Sequence, residues 1–494
     1  MPASIKSHWP ALVPVAVALA LGLSSLDFGL PFLFRPDEDV MVGRAVRMAA
    51  EGSLDPLFAN YPPLVFYIFA IVEKAVGHLD GAVQSDPSGA YIAARAVSAS
   101  AIAITVGLVF LAARHCYCLP AGILAGMAMA VAPLATRQAH FATTDAVQTA
   151  LVAAALLTGL TATGRRSFVL AGALCGLAAA AKYTGGVAIV LVVVMAARRG
   201  SSGRAALLPI LVAAAAGFWV PSLVILAHPG AYLQGLSFLG GNAYRRDFGL
   251  PIGWLYHPTV TLPYGFGFGA YAMSLVGAAY AARSRRPGDI GLLAYVLAYY
   301  LISGAGHENF YRYMLPLLPA LAILAGGLLR AAPARLQLPA IAAALLLLAP
   351  GLYASIATDR LLGTTDTRVL AARWLDANAA PGSNLESPYY GGPFYDQGTI
   401  DRQLQNVPDP LAAGFLQGRY TDRYRINRQP AAYVIVASAP PIQWPPPAAA
   451  EAAAFRAAAA TGPAVYDSID SMYLPIWGFQ NVQRPGPSLA IIRP

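Results

Sequence analysis

The chain has 494 residues, of which 57% are hydrophobic and only 12% charged, with a mean hydropathy of +0.55. This balance excludes a soluble globular protein and describes a polytopic membrane protein. The net charge of +9 does not signal nucleic acid, because the arginines stand in short clusters between apolar runs, as they do in orientation-setting cytoplasmic loops. Cys116, Cys118 and Cys175 fall in or beside apolar segments and offer neither a disulfide framework nor a Cys-x-x-Cys metal pair.

Residues 9–26 follow Lys6 and His8, are apolar enough to span and precede no clear Ala-x-Ala cleavage site, so they predict a first transmembrane helix and a cytoplasmic N-terminus. Arg35 to Pro63 is then an acidic, polar loop in a chain otherwise built for lipid. It opens with Arg35-Pro36-Asp37-Glu38-Asp39 and closes with Asn60-Tyr61-Pro62-Pro63. Carboxylates just outside a membrane helix can take a proton from a hydroxyl or hold a metal. Inside the loop, Val40 to Glu51 reads as an amphipathic helix on the membrane surface, with Val42, Val46 and Ala49 on one face.

Residues 64–77 are short, hold Glu73 and Lys74 and begin after two prolines. If this segment lies on the membrane, apolar runs at 91–113, 119–135, 144–163, 167–181, 184–197, 205–226, 259–281, 289–305, 308–329 and 336–356 alternate so that every basic cluster falls on one side. The clusters are Arg114, Arg165 with Arg166, Arg198 with Arg199 and Arg204, Arg283 with Arg285 and Arg286, and Arg330 with Arg335. The reading is therefore eleven spans with 64–77 as a second interfacial helix. The same logic splits 167–197, making Lys182-Tyr183-Thr184-Gly185-Gly186 an outward turn between two helices shorter than the roughly 20 residues of a perpendicular span.

After residue 356 the composition shifts to Pro, Gly, Tyr and polar residues. A helix is predicted at Asp366 to Ala379, strands at Tyr433 to Ala437 and Leu489 to Ile492, and a second helix at Ala448 to Ala460. The organisation is thus a transmembrane domain, 1–356, and a small soluble α/β domain, 357–494, outside the cytoplasm. No internal repeat of the transporter kind appears.

The outward connections collect acids and bases together: Arg35, Asp37, Glu38 and Asp39, then Arg137, His140 and Asp145, then Lys182, Arg245, Arg246 and Asp247, and finally His307, Glu308 and Arg312. Lys182 is one of three lysines in the chain, in an apolar turn where an unpaired ammonium is costly, and a phosphate partner would explain it. Plainer roles exist for each. Asp37 and Glu38 also suit a helix N-terminus, as does Asp145; Lys182 can snorkel; His307 and Glu308 also suit a solvated loop. No nucleotide-binding or hydrolase motif is present.

An opening span, Pro36-Asp37-Glu38, an interfacial helix and Tyr61-Pro62-Pro63-Leu64 together resemble the first periplasmic loop of the GT-C membrane glycosyltransferases. The similarity is to the branch of protein O-mannosyltransferases and lipid A aminoarabinose transferases. His140-Phe141-Ala142-Thr143-Thr144-Asp145 resembles its second acidic motif, Ala181-Lys182-Tyr183-Thr184-Gly185 its lysine turn, and Arg312-Tyr313-Met314-Leu315-Pro316 its late Arg-Tyr-x-x-Pro motif, across residues 10–330. The resemblance implies a GT-C fold and an inverting glycosyltransferase of a bacterial inner membrane. It would pass a sugar from a polyprenyl-phosphate donor to a lipid, glycan or protein acceptor at the periplasmic face. It makes Asp37 the catalytic base, Glu38 its neighbour or a metal or acceptor contact, and Asp145 a residue shaping the acceptor side. Lys182, with Arg137 and Arg312, would hold the donor phosphate, and Tyr61, His140, Tyr183, His307, Glu308 and Tyr313 would line the acceptor cavity. A divalent metal at Glu38, His307 or Glu308 is compatible with these residues but demanded by no ligand spacing. The chain lacks the lysine that the lipid A enzymes carry beside Pro62. Two other classes compete: a transporter or flippase of lipid-linked glycans, and a non-catalytic anchor displaying the C-terminal domain.

Overall fold

The computed structural model describes residues 9–30, 36–77, 88–245, 251–331, 333–388, 423–438, 449–466 and 487–494. Arg35, Arg246 and Asp247 lie outside them. A short 3-10 turn, Trp9–Ala11, runs into the first apolar helix, Leu12–Leu23, and the next helix is Pro36–Glu51. Asp37 and Glu38 therefore sit in a first helical turn instead of a loop, where unsatisfied backbone N–H groups favour carboxylates.

Leu64–Val76 is a helix of 13 residues, roughly 20 Å long, well short of the hydrocarbon core. Its Val65, Phe66 and Phe69 bury against Met41, Val42 and Ala45 of Pro36–Glu51, and it stops at Gly77, where φ is +74°. The two helices form one packed unit behind Asn60-Tyr61-Pro62-Pro63.

Among the described residues, five helices are long and apolar enough to cross a membrane: Ser88–Cys116, Thr144–Thr161, Gly200–Trp219, Tyr311–Arg330 and Gln337–Asn378. A sixth arises if Leu119–Ala130 and Pro133–Ala139, bent by 59° at their break, count as one span. The expected eleven are finer than these helices support, because several apolar runs are interrupted. The run at 259–281 meets a π-helical turn, His257–Thr261, and then Gly267 at a φ of +90°. The run at 167–197 divides, as its flanking charge predicts, into Arg165–Ala181, the 3-10 turn Tyr183–Ala188 and Ile189–Ala197, with Lys182 extended between the pieces.

Backbone-to-backbone packing holds this broken segment. A Cβ on Gly172 or Gly176 would lie 2.5 Å from the Ile210 carbonyl or 2.0 Å from that of Ala214, both on Leu207–Trp219. Gly217 on the latter helix meets the Ala173 carbonyl equally closely, at 2.3 Å. Small residues four apart let membrane helices approach where hydrophobic burial offers little driving force.

Near the C-terminus the strands β1 (Asn384–Glu386), β2 (Arg425–Ile426), β3 (Tyr433–Ser438), β4 (Ala464–Tyr466) and β5 (Ser488–Ile492) form a sheet of order β2-β1-β3-β5-β4. β1 is parallel to β2 and β3, and β5 is antiparallel to β3 and β4. Thr367–Asn378, whose N-cap Asp366 accepts a 2.8 Å bond from the Arg368 N–H, lends Ala371 and Leu375 to a core with Leu385, Ile435, Leu489 and Ile491. This core is separate from that of the helical bundle.

Candidate active site

Adjacent carboxylates in the first turn of Pro36–Glu51 point to different partners. Glu38 is 2% exposed and accepts from Arg95 Nε at 3.0 Å, Arg95 Nη2 at 2.8 Å and the Ala142 N–H at 2.8 Å. Arg95 Nη1 donates in turn to the carbonyls of Leu26 and Phe28 at 2.6 and 3.0 Å, and the guanidinium lies 3.9 Å over the Phe28 ring. Glu38, placed beside the reaction by the sequence reading, is thus committed to a buried ion pair that ties together residues 26–28, the helix Ser88–Cys116 and residue 142. Asp37 is different: its side chain is 48% exposed and accepts from Arg312 Nη1 at 2.6 Å.

The Glu38 bond to residue 142 fixes the approach to Thr144–Thr161, in whose first turn Asp145 lies. Asp145 accepts from Lys182 Nζ at 2.8 Å and from Thr143 Oγ1 at 3.3 Å. The ammonium for which the sequence suggests a phosphate therefore has a carboxylate partner. A second link, Gln148 Nε2 to Thr184 Oγ1 at 2.8 Å, fastens the same helix to the turn after Lys182. Lys182 also lies 5.8 Å from the ring centre of Tyr61 and 5.2 Å from that of Tyr313. Arg312 lies within electrostatic reach of Asp145, Tyr61 and Tyr313 as well as Asp37. Burial pushes the Tyr61 phenol well above its ordinary range, with Arg312 opposing and Asp37, Asp145 and Glu308 adding to it, so Tyr61 remains a proton donor.

Asp37, Tyr61, Asp145, Lys182, Arg312 and Tyr313 thus converge, drawn from five separate segments. Glu308 joins their edge by accepting from Tyr313 Oη at 3.1 Å. His140, Arg137 and Tyr183 make different contacts. His140 is fully buried, its Nδ1 against the Thr136 carbonyl at 2.8 Å and its Nε2 against the Ser24 carbonyl at 2.9 Å, with Asp359 at 3.5 Å. It ties the ends of two helices to the end of the first apolar helix, Leu12–Leu23. Arg137 lies 5.6 Å over Phe141, and the Tyr183 ring faces Phe218. His307 Nδ1 is buried without a partner among the described residues. Glu38, His307 and Glu308 do not converge on one point. Among the described residues no three His, Cys, Asp or Glu side chains are grouped to hold a metal ion.

Arg95 escaped the sequence reading although it carried a signal: an arginine inside an apolar span demands a buried partner. Asp359 gave no such pattern, since its partners Ser24 and His140 lie far away in the chain.

Residues 60–226 match the family described as dolichyl-phosphate-mannose-protein mannosyltransferase. No curated protein matches the chain. In fold it is similar to ArnT from Cupriavidus metallidurans bound to undecaprenyl phosphate, at a TM-score of 0.53 and 18% identity, over 97% of each chain. It is similar also to the Archaeoglobus fulgidus oligosaccharyltransferase in the apo form, at 0.50 and 14%, over 87% of this chain and 70% of that one.

Proposed function

We propose, from a chain that has the GT-C fold and matches a GT-C glycosyltransferase family, that it transfers a sugar from a polyprenyl-phosphate donor to a cell-envelope acceptor at the outer face of a bacterial inner membrane. The observation that carries this reading is the pair of linked acid–base couples around Tyr61, Asp37 with Arg312 and Asp145 with Lys182. The undecaprenyl phosphate bound to ArnT, a protein of the same fold, supports the class of donor. The alternation of basic clusters supports the outward orientation of this site and of residues 357–494.

Asp37, half exposed, accepts the proton of the acceptor hydroxyl as that oxygen attacks the anomeric carbon, a contribution of about 100- to 10,000-fold. The bond from the anomeric carbon to the phosphate oxygen breaks, and the electron pair leaves with the lipid phosphate. Attack opposite the leaving phosphate inverts the anomeric centre. Lys182 and Arg312 stabilise the departing charge through charge-assisted hydrogen bonds, Lys182 turning from Asp145 toward the phosphate. Tyr61 and Tyr313 flank that ammonium and limit its access to water.

Mass spectrometry of envelope glycans, lipids and proteins from cells with and without this protein tests the reading. One defined acceptor should lose a single sugar in its absence. An unchanged envelope, together with movement of a lipid-linked glycan across liposomes without a new glycosidic bond, would establish a flippase instead.

A further inference from the structure

Two phenol hydroxyls beside this site are sealed from solvent and have no hydrogen-bond partner among the described residues: those of Tyr183 and Tyr232. Tyr183 follows Lys182 in the chain, and its ring faces Phe218 at 6.3 Å between centroids. Tyr232, 4% exposed, is on the helix Pro229–Arg245 and lies within electrostatic reach of Tyr183, Tyr67 and Asp55. That helix rests on the loop leading to Tyr61. His228 Nε2 meets Asp55 Oδ2 at 2.8 Å, and a Cβ on Gly235 would lie 2.4 Å from the Ala59 carbonyl. Ser222 Oγ, one turn beyond Phe218, is a third buried hydroxyl with no partner among the described residues.

A buried hydroxyl without a partner carries an uncompensated desolvation penalty, which phenylalanine would avoid in nearly the same volume. Its presence twice, on elements meeting beside Lys182, calls for an occupant that satisfies it. The chemistry of the walls selects that occupant. A phosphate asks for cations, which stand at Lys182 and Arg312, whereas neutral hydroxyls set among the rings of Tyr67, Tyr183, Phe218 and Tyr232 suit a ligand with many hydroxyls and apolar C–H faces. We infer that Tyr183 and Tyr232 form a saccharide subsite next to Lys182, roofed by Pro229–Arg245. The inference rests on the function proposed above and adds which residues hold the sugar.

The test uses the full-length protein with Tyr183→Phe and Tyr232→Phe, and reads binding of undecaprenyl phosphate against undecaprenyl phosphate bearing one hexose or pentose. If the subsite holds the donor sugar, a sugar-bearing lipid binds the wild type more tightly than the bare lipid. Each substitution then weakens that lipid roughly five- to tenfold and leaves the bare lipid unchanged. If it holds an acceptor sugar, both lipids bind the variants as they bind the wild type. The KM for envelope acceptor prepared from cells lacking the protein then rises by a similar factor. Because neither hydroxyl has a hydrogen-bond partner among the described residues, neither substitution should lower the melting temperature. Unmoved donor affinity and acceptor KM in both variants would overturn the subsite, as would a lowered melting temperature accompanied by no change in either. Failure of the bare lipid to bind would instead count against Lys182 and the proposed donor.

Discussion

At the scale of single residues, the couple of Lys182 and Asp145 sets what a lipid phosphate would have to do under the proposed function. It has to draw the ammonium from a carboxylate 2.8 Å away, so the two side chains should affect donor binding with opposite signs. Lys182→Ala is expected to weaken undecaprenyl phosphate binding about tenfold or more, the worth of a hydrogen bond to a charged group. Asp145→Asn should tighten it, because the competing anion is gone. Equal affinities in wild type and both variants would remove Lys182 from the phosphate site. Lys182 stood out in the sequence because a lone ammonium in an apolar turn is expensive, but its partner lies 37 residues away on another helix, beyond the reach of any local pattern.

Glu38 shows the same limit from the other side. Beside Asp37 it looks like a second catalytic carboxylate, and only the fold reveals three hydrogen bonds to its buried oxygens. Glu38→Gln should act on stability, costing about 3–5 kcal/mol by leaving Arg95 buried without its counter-charge. Thermal unfolding in detergent would show a lowered midpoint, with donor affinity retained in the folded fraction. A wild-type midpoint with abolished transfer would return Glu38 to the reaction.

At the scale of elements, charge and apolar length predicted the break at Lys182 and the shortness of Leu64–Val76, because both depend on local composition. The start of Pro36–Glu51 was less legible. Acids after a proline suit either a loop or a helix N-terminus, and packing against Leu64–Val76 decides for the helix. Leu64–Val76 also buries Glu73 completely, and that burial lifts the carboxyl from 4.5 to about 8. The folded protein therefore keeps a proton that the unfolded chain releases above about pH 4.5. The stability this confers is full below that pH and is lost as the pH rises toward 8. Melting temperatures between pH 5 and 8.5 should fall in the wild type and fall less in Glu73→Gln. Parallel slopes would show that Glu73 does not carry the effect.

At the scale of the whole molecule, hydropathy and the spacing of arginines identified a polytopic helical protein, whereas the number of spans depends on bends and π-turns that composition does not report. His257–Thr261 and the 59° bend after Ala130 are cases in point. The sheet of β1 to β5 was visible only at β3 and β5, whose apolar runs are five or six residues long, since strands of two or three residues carry no periodicity. What the molecule as a whole does comes down to whether Asp37 takes a proton while the cations hold a lipid phosphate. Single-turnover transfer from a polyprenyl-phosphate sugar by wild type and Asp37→Asn, with donor binding measured in the same samples, separates the two possibilities. Transfer is expected to fall by about 100- to 10,000-fold with donor affinity little changed. Wild-type transfer by Asp37→Asn would contradict it.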